Sequence, residues 1–244
     1  MHVENFVAHR GWRQHFPENT LLALREAALA GAVNIELDVQ LSADRRPHIF
    51  HDPSLQRLCN QPGMIWDYSS AQLASMSAFE PQRFGNRFAG TPLSPLAALG
   101  ELLNEFPAVN AYVELKGESL AQFGAAAMVD AVIADLTNHR DRCVLISFEL
   151  DALILARQRG WQRCAAVFDY WPDWQLASLA ELAPEIIFID RNCVPVEADL
   201  RKLPYPVLIY EVGNSLEACD WFARGAVGVE SFLIGELLQE LKLV

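Results

Sequence analysis

Two histidines, three carboxylates, an arginine and a lysine stand in otherwise apolar stretches: His9-Arg10-Gly11, Glu36-Leu37-Asp38, His51-Asp52 and Glu114-Leu115-Lys116. Three carboxylates gathered in one place repel one another and are costly to bury unless a cation neutralises them. An all-oxygen set of Glu36, Asp38 and Glu114 suits one hard divalent ion, Mg²⁺ or Ca²⁺. Two imidazoles that titrate near neutrality, His9 and His51, can serve as general base and general acid. Arg10 and Lys116 can neutralise a phosphate, the arginine with a two-pronged fork. Metal, acid, base and anion clamp together suit cleavage of a phosphodiester. Each piece alone has a plainer reading. A lone buried histidine or Glu-x-Lys pair is usually part of a satisfied polar network, and Glu36-x-Asp38 alone fits a solvated strand face. Their joint placement is harder to explain plainly, because polar residues inside apolar strands cost stability and need a compensating role.

Such a set can meet only if the fold brings four separated segments to one place. Apolar, strand-like runs occur at 6–9, 34–41, 111–115, 144–148, 165–168, 186–189, 207–210 and 227–230. Helix-like segments separate them, among them 120–136, 150–159, 175–182 and 215–224. The first helix is expected to start at Asn19 or Thr20 as N-cap and to stop at Gly31. Eight strands in repeating βα order imply a parallel sheet with helical crossovers, and eight units favour a closed (β/α)8 TIM-type barrel in the α/β class. No GxGxxG follows the first strand, which disfavours a dinucleotide fold. Active sites of such barrels lie at the C-terminal ends of the strands. The residues singled out fall there, and the i, i+2 spacings of Glu36/Asp38 and Glu114/Lys116 put each pair on one strand face.

Two stretches break the rhythm. The turn 42–47 is too short for a crossover helix, so 48–51 is expected to return antiparallel beside the second strand, with His51 roughly opposite Asp38. The turn-rich stretch from about 53 to 95 reads as an insertion or lid within a single barrel domain spanning 1–244.

At 244 residues and 52% hydrophobic content the chain can bury a sizeable core. Its formal net charge of −12 argues against nucleic acid and anionic membranes as partners. The same charge means that a small anionic substrate needs a local positive centre. No leader and no membrane span are evident, and the five scattered cysteines read as reduced, mostly buried thiols of a cytoplasmic protein.

The early segments resemble the glycerophosphodiester phosphodiesterase family: Val7-Ala8-His9-Arg10-Gly11, Pro17-Glu18-Asn19-Thr20, Ile35-Glu36-Leu37-Asp38-Val39, His51-Asp52 and Glu114-Leu115-Lys116, with Ile146-Ser147-Phe148 following. The resemblance implies hydrolysis of a glycerophosphodiester to glycerol 3-phosphate and an alcohol. It implies His9 and His51 as the acid/base pair, Glu36, Asp38 and Glu114 as metal ligands, and Arg10 and Lys116 as phosphate contacts. Glu18 and Asn19 read instead as structural, at a helix entry. Asp52 is placed to orient His51 or the metal.

Two segments depart from the family. Where it usually shows Trp-Thr-Val-Asn, this chain has Tyr210-Glu211-Val212-Gly213, and where Thr-Asp is frequent it has Glu230-Ser231. These departures are expected to bear on the leaving group and the preference for glycerol, and not to touch the metal or the acid/base pair. Related readings are a phosphodiesterase for a lysophospholipid or sugar phosphodiester, or a barrel that binds phosphorylated ligands without turnover. Trp12 and the aromatics of Tyr170-Trp171-Pro172-Asp173-Trp174 are candidates for the pocket rim, against a plainer role covering the core.

Overall fold

The computed structural model describes residues 1–242. Its strands are β1 (Phe6–Ala8), β2 (Asn34–Leu41), β3 (Pro47–Ile49), β4 (Asn110–Leu115), β5 (Cys143–Ser147), β6 (Cys164–Phe168), β7 (Ile187–Asp190), β8 (Val207–Tyr210) and β9 (Gly228–Ser231). Eight of them pair in parallel in the order β1-β2-β4-β5-β6-β7-β8-β9, and β9 pairs back to β1, so the barrel is closed. Closure leaves no exposed edge among these eight. Inside the barrel, Val7, Val144, Ile146, Ala165, Val167, Phe188 and Leu208 form an apolar plug. A larger cluster fills the layer between strands and helices, with Leu37, Val39, Val113 and Leu115 facing it.

The added strand explains how two histidines from distant segments become neighbours. β2 is eight residues long and β1 only three. β1 pairs with β2 only near its start, Ala8 with Ile35, while antiparallel β3 takes the same side of β2 further along, Val39 with Ile49. The hairpin thus fills the space that the short first strand leaves, and the chain after β3 descends toward the end of β1. The return strand was expected to set His51 opposite Asp38. Instead Phe50 lies there, its N–H donating to the Asp38 carbonyl at 2.9 Å. His51 is one residue further, just beyond the strand, where its side chain is free to turn into the barrel mouth.

Thr20 caps the helix Leu21–Leu29, accepting the Ala23 N–H at 3.1 Å. The expected helix over 120–136 is two helices, Gly117–Phe123 and Ala125–Leu136, which meet at a bend of 116°. Gly124 takes φ +84° at the break, backbone that other residues adopt only with strain. The segment 53–95 contains three short helices, Gln56–Cys59, Ser70–Leu73 and Pro81–Phe84. They gather over a small core of Phe50, Leu55, Leu58, Ile65, Leu73 and Leu93. Among the described residues, no single helix is long and apolar enough to cross a membrane.

Gly11 fixes the turn that follows His9 and Arg10. It has φ +79°, and a Cβ built on it would lie 2.5 Å from the Ala23 carbonyl carbon and 2.7 Å from the Leu24 nitrogen. Both obstacles are backbone and cannot swing aside. Gly11→Ala is therefore expected to destabilise the fold by at least about 2 kcal/mol. Denaturant unfolding checks this, and a change within about 0.5 kcal/mol would mean that the turn and helix yield together.

Candidate active site

At the C-terminal ends of the strands lies a cavity of about 310 Å³. His9, Arg10, Glu36, His51, Glu114 and Lys116 line one side of it. Asp38, almost fully buried, stands directly behind them. The structure thus brings all seven residues singled out in the sequence to one place. The opposite side is made by β7 to β9 and the turns after them, including Asp190, Tyr210, Glu211 and Glu230.

Glu36, Asp38 and Glu114 each offer an oxygen within 4.8 Å of the others. Register places them: Asp38 pairs with Glu114 across β2 and β4, and Glu36 precedes Asp38 on the same face. One buried oxygen on each, Glu36 Oε1, Asp38 Oδ1 and Glu114 Oε1, accepts no hydrogen bond. Lys116 Nζ stands 2.9 Å from Glu114 Oε1 and 3.4 Å from Asp38 Oδ1, close but out of line. Burial, then the Asp38, Glu230 and Glu114 charges, push the Glu36 carboxyl well above its usual range. Burial and the Asp38 charge push Glu114 up to about 7. Burial acts the same way on Asp38, but Arg10 and Lys116 outweigh it and keep that carboxyl ionised. Three converging buried oxygens approached by a single ammonium, in a set short of positive charge, fit a hard divalent cation.

The second tier of contacts holds this set rigid. The Arg10 backbone N–H donates to Glu36 Oε2 at 2.9 Å from a residue in the left-handed region (φ 54°). Its side chain spans Glu18 Oε1 at 2.8 Å and Asp38 Oδ2 at 3.0 Å. Asn19 grips Asp38 twice, donating from Nδ2 to Oδ2 at 2.7 Å and accepting the Asp38 N–H at 3.0 Å. Thr20 makes the helix entry, but Glu18 and Asn19 are wired into the acidic cluster, which the helix-entry reading missed. A fully buried carboxylate in the Glu18 position needs charged partners. It has three, Arg10, Arg13 and Arg57. Arg57 comes from the segment after the hairpin and carried no pattern that sequence reading could use. It also holds Asp52 at 2.7 and 2.8 Å.

Each imidazole keeps a carboxylate at Nδ1. His51 Nδ1 is hydrogen-bonded to Asp52 Oδ1 at 2.7 Å, the orienting role read for Asp52. His9 Nδ1 lies 2.8 Å from Glu211 Oε1, near but not in line, and its Nε2 is 3.9 Å from Glu36 Oε2. The departure at Glu211 was expected to leave the acid/base pair untouched, and here it reaches His9 directly. Glu230 likewise points inward, 4% exposed, with Oε1 lacking any hydrogen bond. Burial, then Glu211 and Glu114, push its carboxyl well above the usual range. The only sequence signal for these two residues was that they are acidic at strand ends where the resemblance led to other types.

Of the aromatics weighed for the rim, Trp12, Trp171 and Trp174 take the plainer role against the core. Trp12 packs over Gly235 and donates to Glu236 at 2.8 Å. Trp171 and Trp174 meet edge-to-face against the core. The cavity's own apolar wall is Ile146, Phe148, Val167, Phe188 and Phe232.

Comparison with known proteins matches residues 9–181 to the model of the glycerophosphoryl diester phosphodiesterase family, a span that includes the triad and both imidazoles. The chain belongs to this family. It is similar to a glycerophosphodiester phosphodiesterase of Bacillus altitudinis, 32% identical over 156 residues, covering 63% of this chain and 61% of that protein. A glycerophosphodiester phosphodiesterase of Caldanaerobacter subterraneus is 35% identical over 99 residues, 41% of this chain and 40% of its own. The matches therefore span about two fifths to three fifths of these relatives' lengths. Among solved structures, an Oleispira antarctica phosphodiesterase in complex with the product sn-glycerol-3-phosphate superposes with a TM-score of 0.86 at 24% identity, covering 98% of this chain and 96% of that one. A glycerophosphodiester phosphodiesterase of Agrobacterium tumefaciens gives 0.76 at 25% identity over 98% and 100% of the two chains.

Within this family member, Glu18 yields an acid-stability prediction. Burial raises its carboxyl, but Arg57, Arg10 and Arg13 outweigh that and hold it down at about 2. A lowered native pKa means stabilisation that is complete above the unfolded value near 4.5 and is lost as pH falls toward 2. Glu18→Gln is expected to cost about 3–5 kcal/mol at neutral pH, since it removes the buried charge that three guanidinium groups share. Its deficit against wild type should shrink on acidification from about pH 5 to 2. Urea unfolding at several pH values measures both, and a pH-independent deficit would rule out the ion pairs as its source.

Proposed function

We propose that this chain hydrolyses glycerophosphodiesters to glycerol 3-phosphate and an alcohol, using a divalent ion and the His9/His51 pair. The observation that carries the reading is the convergence of Glu36, Asp38 and Glu114, each with an unbonded buried oxygen, beside two imidazoles in one cavity. Family membership supports the same reading. On it, residues 1–244 are a single barrel domain, and 53–95 is an insertion whose Arg57 buttresses the site from the side.

The ion, Mg²⁺ or Ca²⁺, would be held by Glu36, Asp38 and Glu114. When bound it would supply positive charge at a phosphoryl oxygen and polarise the phosphorus for attack. The chain's own groups do the remaining work. Lys116 and Arg10 border the cavity and neutralise the phosphate, the lysine from a nearly buried position that keeps its field unscreened. Since an ionised carboxylate only accepts, His51 donates from Nδ1 to Asp52, and its Nε2 is left free to take or give a proton. His9 presents Nε2 beside Glu36. Burial, then Arg10, lowers the His9 pKa, so it enters the reaction neutral and suits the proton-accepting role. One imidazole removes a proton from the attacking hydroxyl while the other protonates the departing alkoxide.

A second reading within the same chemistry concerns the alcohol. The wall of Ile146, Phe148, Val167, Phe188 and Phe232 favours a leaving group with an apolar part, as in a lysophospholipid. Comparing kcat/KM for glycerophosphoethanolamine and a lysophospholipid decides between them.

His9→Ala and His51→Ala are each expected to lower kcat by at least about 100-fold. Steady-state kinetics on a glycerophosphodiester checks this, and near-normal rates in both variants would refute the acid/base assignment. Chelation is expected to abolish turnover, and adding Mg²⁺ or Ca²⁺ to the chelated protein should raise its melting temperature. Glu36→Gln should flatten that thermal response. An unchanged metal titration in this variant would remove Glu36 from the ligand set.

A further inference from the structure

We propose that Glu211 is a positioning residue for His9: its carboxylate fixes the imidazole with the proton on Nδ1 and the bare Nε2 turned to the reacting groups. The inference rests on the acid/base reading of His9 and adds to it a residue at a position where the chain departs from the family's usual pattern.

Geometry leaves His9 Nδ1 no other partner. The atom is buried and makes no aligned hydrogen bond, and Glu211 Oε1 lies 2.8 Å away. A buried ring nitrogen without a partner is costly, so a small rotation that brings the two atoms into line is favoured. The carboxylate can only accept: it is a third exposed and has Arg13 Nη1 at 3.6 Å, so it is ionised at neutral pH. The proton must therefore sit on Nδ1, and Nε2 carries the lone pair.

The chain around Glu211 is built to hold it still. Val212 N–H donates to the Glu230 carbonyl at 2.8 Å, and Ser231 Oγ donates to the Val212 carbonyl at 2.6 Å, so the residue after Glu211 is tied to β9 on both sides. Tyr210, the residue before it, donates from its hydroxyl to the Phe168 carbonyl at 2.9 Å. From the other flank Arg13 Nη1 stands 3.6 Å from Glu211 Oε1, while its Nε is 2.7 Å from buried Glu18. The plainer reading, an ion pair with Arg13 and no bearing on the imidazole, fails on distance: the histidine contact is the shorter by 0.8 Å, 2.8 against 3.6 Å. His51 with Asp52 shows the same arrangement, so both imidazoles carry an acidic orienter at Nδ1.

Nitrogen-15 NMR of histidine-labelled protein tests this, with the His9 signals identified by their loss in His9→Gln. The wild type is expected to show His9 protonated at Nδ1. Glu211→Leu should move the proton to Nε2 or to a mixture, and should lower kcat by about 10- to 100-fold with KM changed less than about 3-fold. Glu211→Gln, whose amide oxygen can still accept, should keep the Nδ1 tautomer and recover most of the lost rate. An unchanged tautomer in Glu211→Leu, or equal losses in both variants, overturns the proposal. The spectrum is read without substrate. A wild type inactive on every diester would count against the hydrolase reading, while the tautomer still decides the role of Glu211.

Discussion

Buried like charges that cannot escape one another are what the rest of this molecule is arranged around. Glu36, Asp38, Glu114 and Glu230 are all under a tenth exposed at one end of the barrel. Two full charges at 4.8 Å, the spacing within which the triad oxygens fall, repel by roughly 3–4 kcal/mol at an effective dielectric of about 20. Two cations, Arg10 and Lys116, reach this group, and both bear on Asp38. The result is a graded site in which Asp38 stays ionised while Glu36, Glu114 and Glu230 are driven toward the protonated form. Such a cluster is costly to bury, and added positive charge would relieve it most where its oxygens converge.

Holding that arrangement requires a frame that cannot relax. Asn19 and Arg10 both adopt left-handed backbone, φ 52° and 54°, next to Gly11 at 79°. Left-handed backbone is costly at the two non-glycine positions, and each of them turns a group toward the carboxylates. The Arg10 N–H meets Glu36, and the Asn19 side chain meets Asp38. Glu18 then gathers three guanidinium groups that come from both the barrel and the segment after the hairpin. The segment 53–95 is therefore coupled to the site by charge, through Arg57 on Asp52 and Glu18.

Periodicity made the barrel legible. The β-branched, apolar runs at 34–41, 144–148 and 207–210 fall within a residue of observed strands, because strands buried on both faces read as continuous apolar stretches. The chemistry was legible for a related reason. Charges such as Glu36 and Lys116 interrupt those runs and stand out against them. Glu18 and Asn19 were read as structural, and they are, but their local pattern, Asn-Thr ahead of a helix, is a capping signal that says nothing of the contacts they make across the fold. Only the fold shows that Thr20 caps while its two predecessors reach 19 residues or more along the chain. The break at Gly124 was missed because the flanking residues keep helical spacing through it, and one glycine inside an apolar helix signals a weak point without fixing its angle. The one-residue difference at His51 has a similar origin: a turn's length is readable, but its exact hydrogen-bond register is set by the partner strand.

The two halves of the mouth differ in what ties them down. On β1, β2 and β4, every residue of the acidic cluster is cross-braced, so exchange of one type for another would unbalance several charges together. At the ends of β8 and β9, Glu211 and Glu230 are held chiefly through backbone, and the Glu211 carboxylate is a third exposed. Backbone bracing is indifferent to side-chain type. This half carries Glu211 and Glu230, where a change of side chain needs no new scaffold. Glu211 shows the consequence. A carboxylate on this backbone-held position stands against His9 on the braced half, so the two sides of the mouth meet across 2.8 Å.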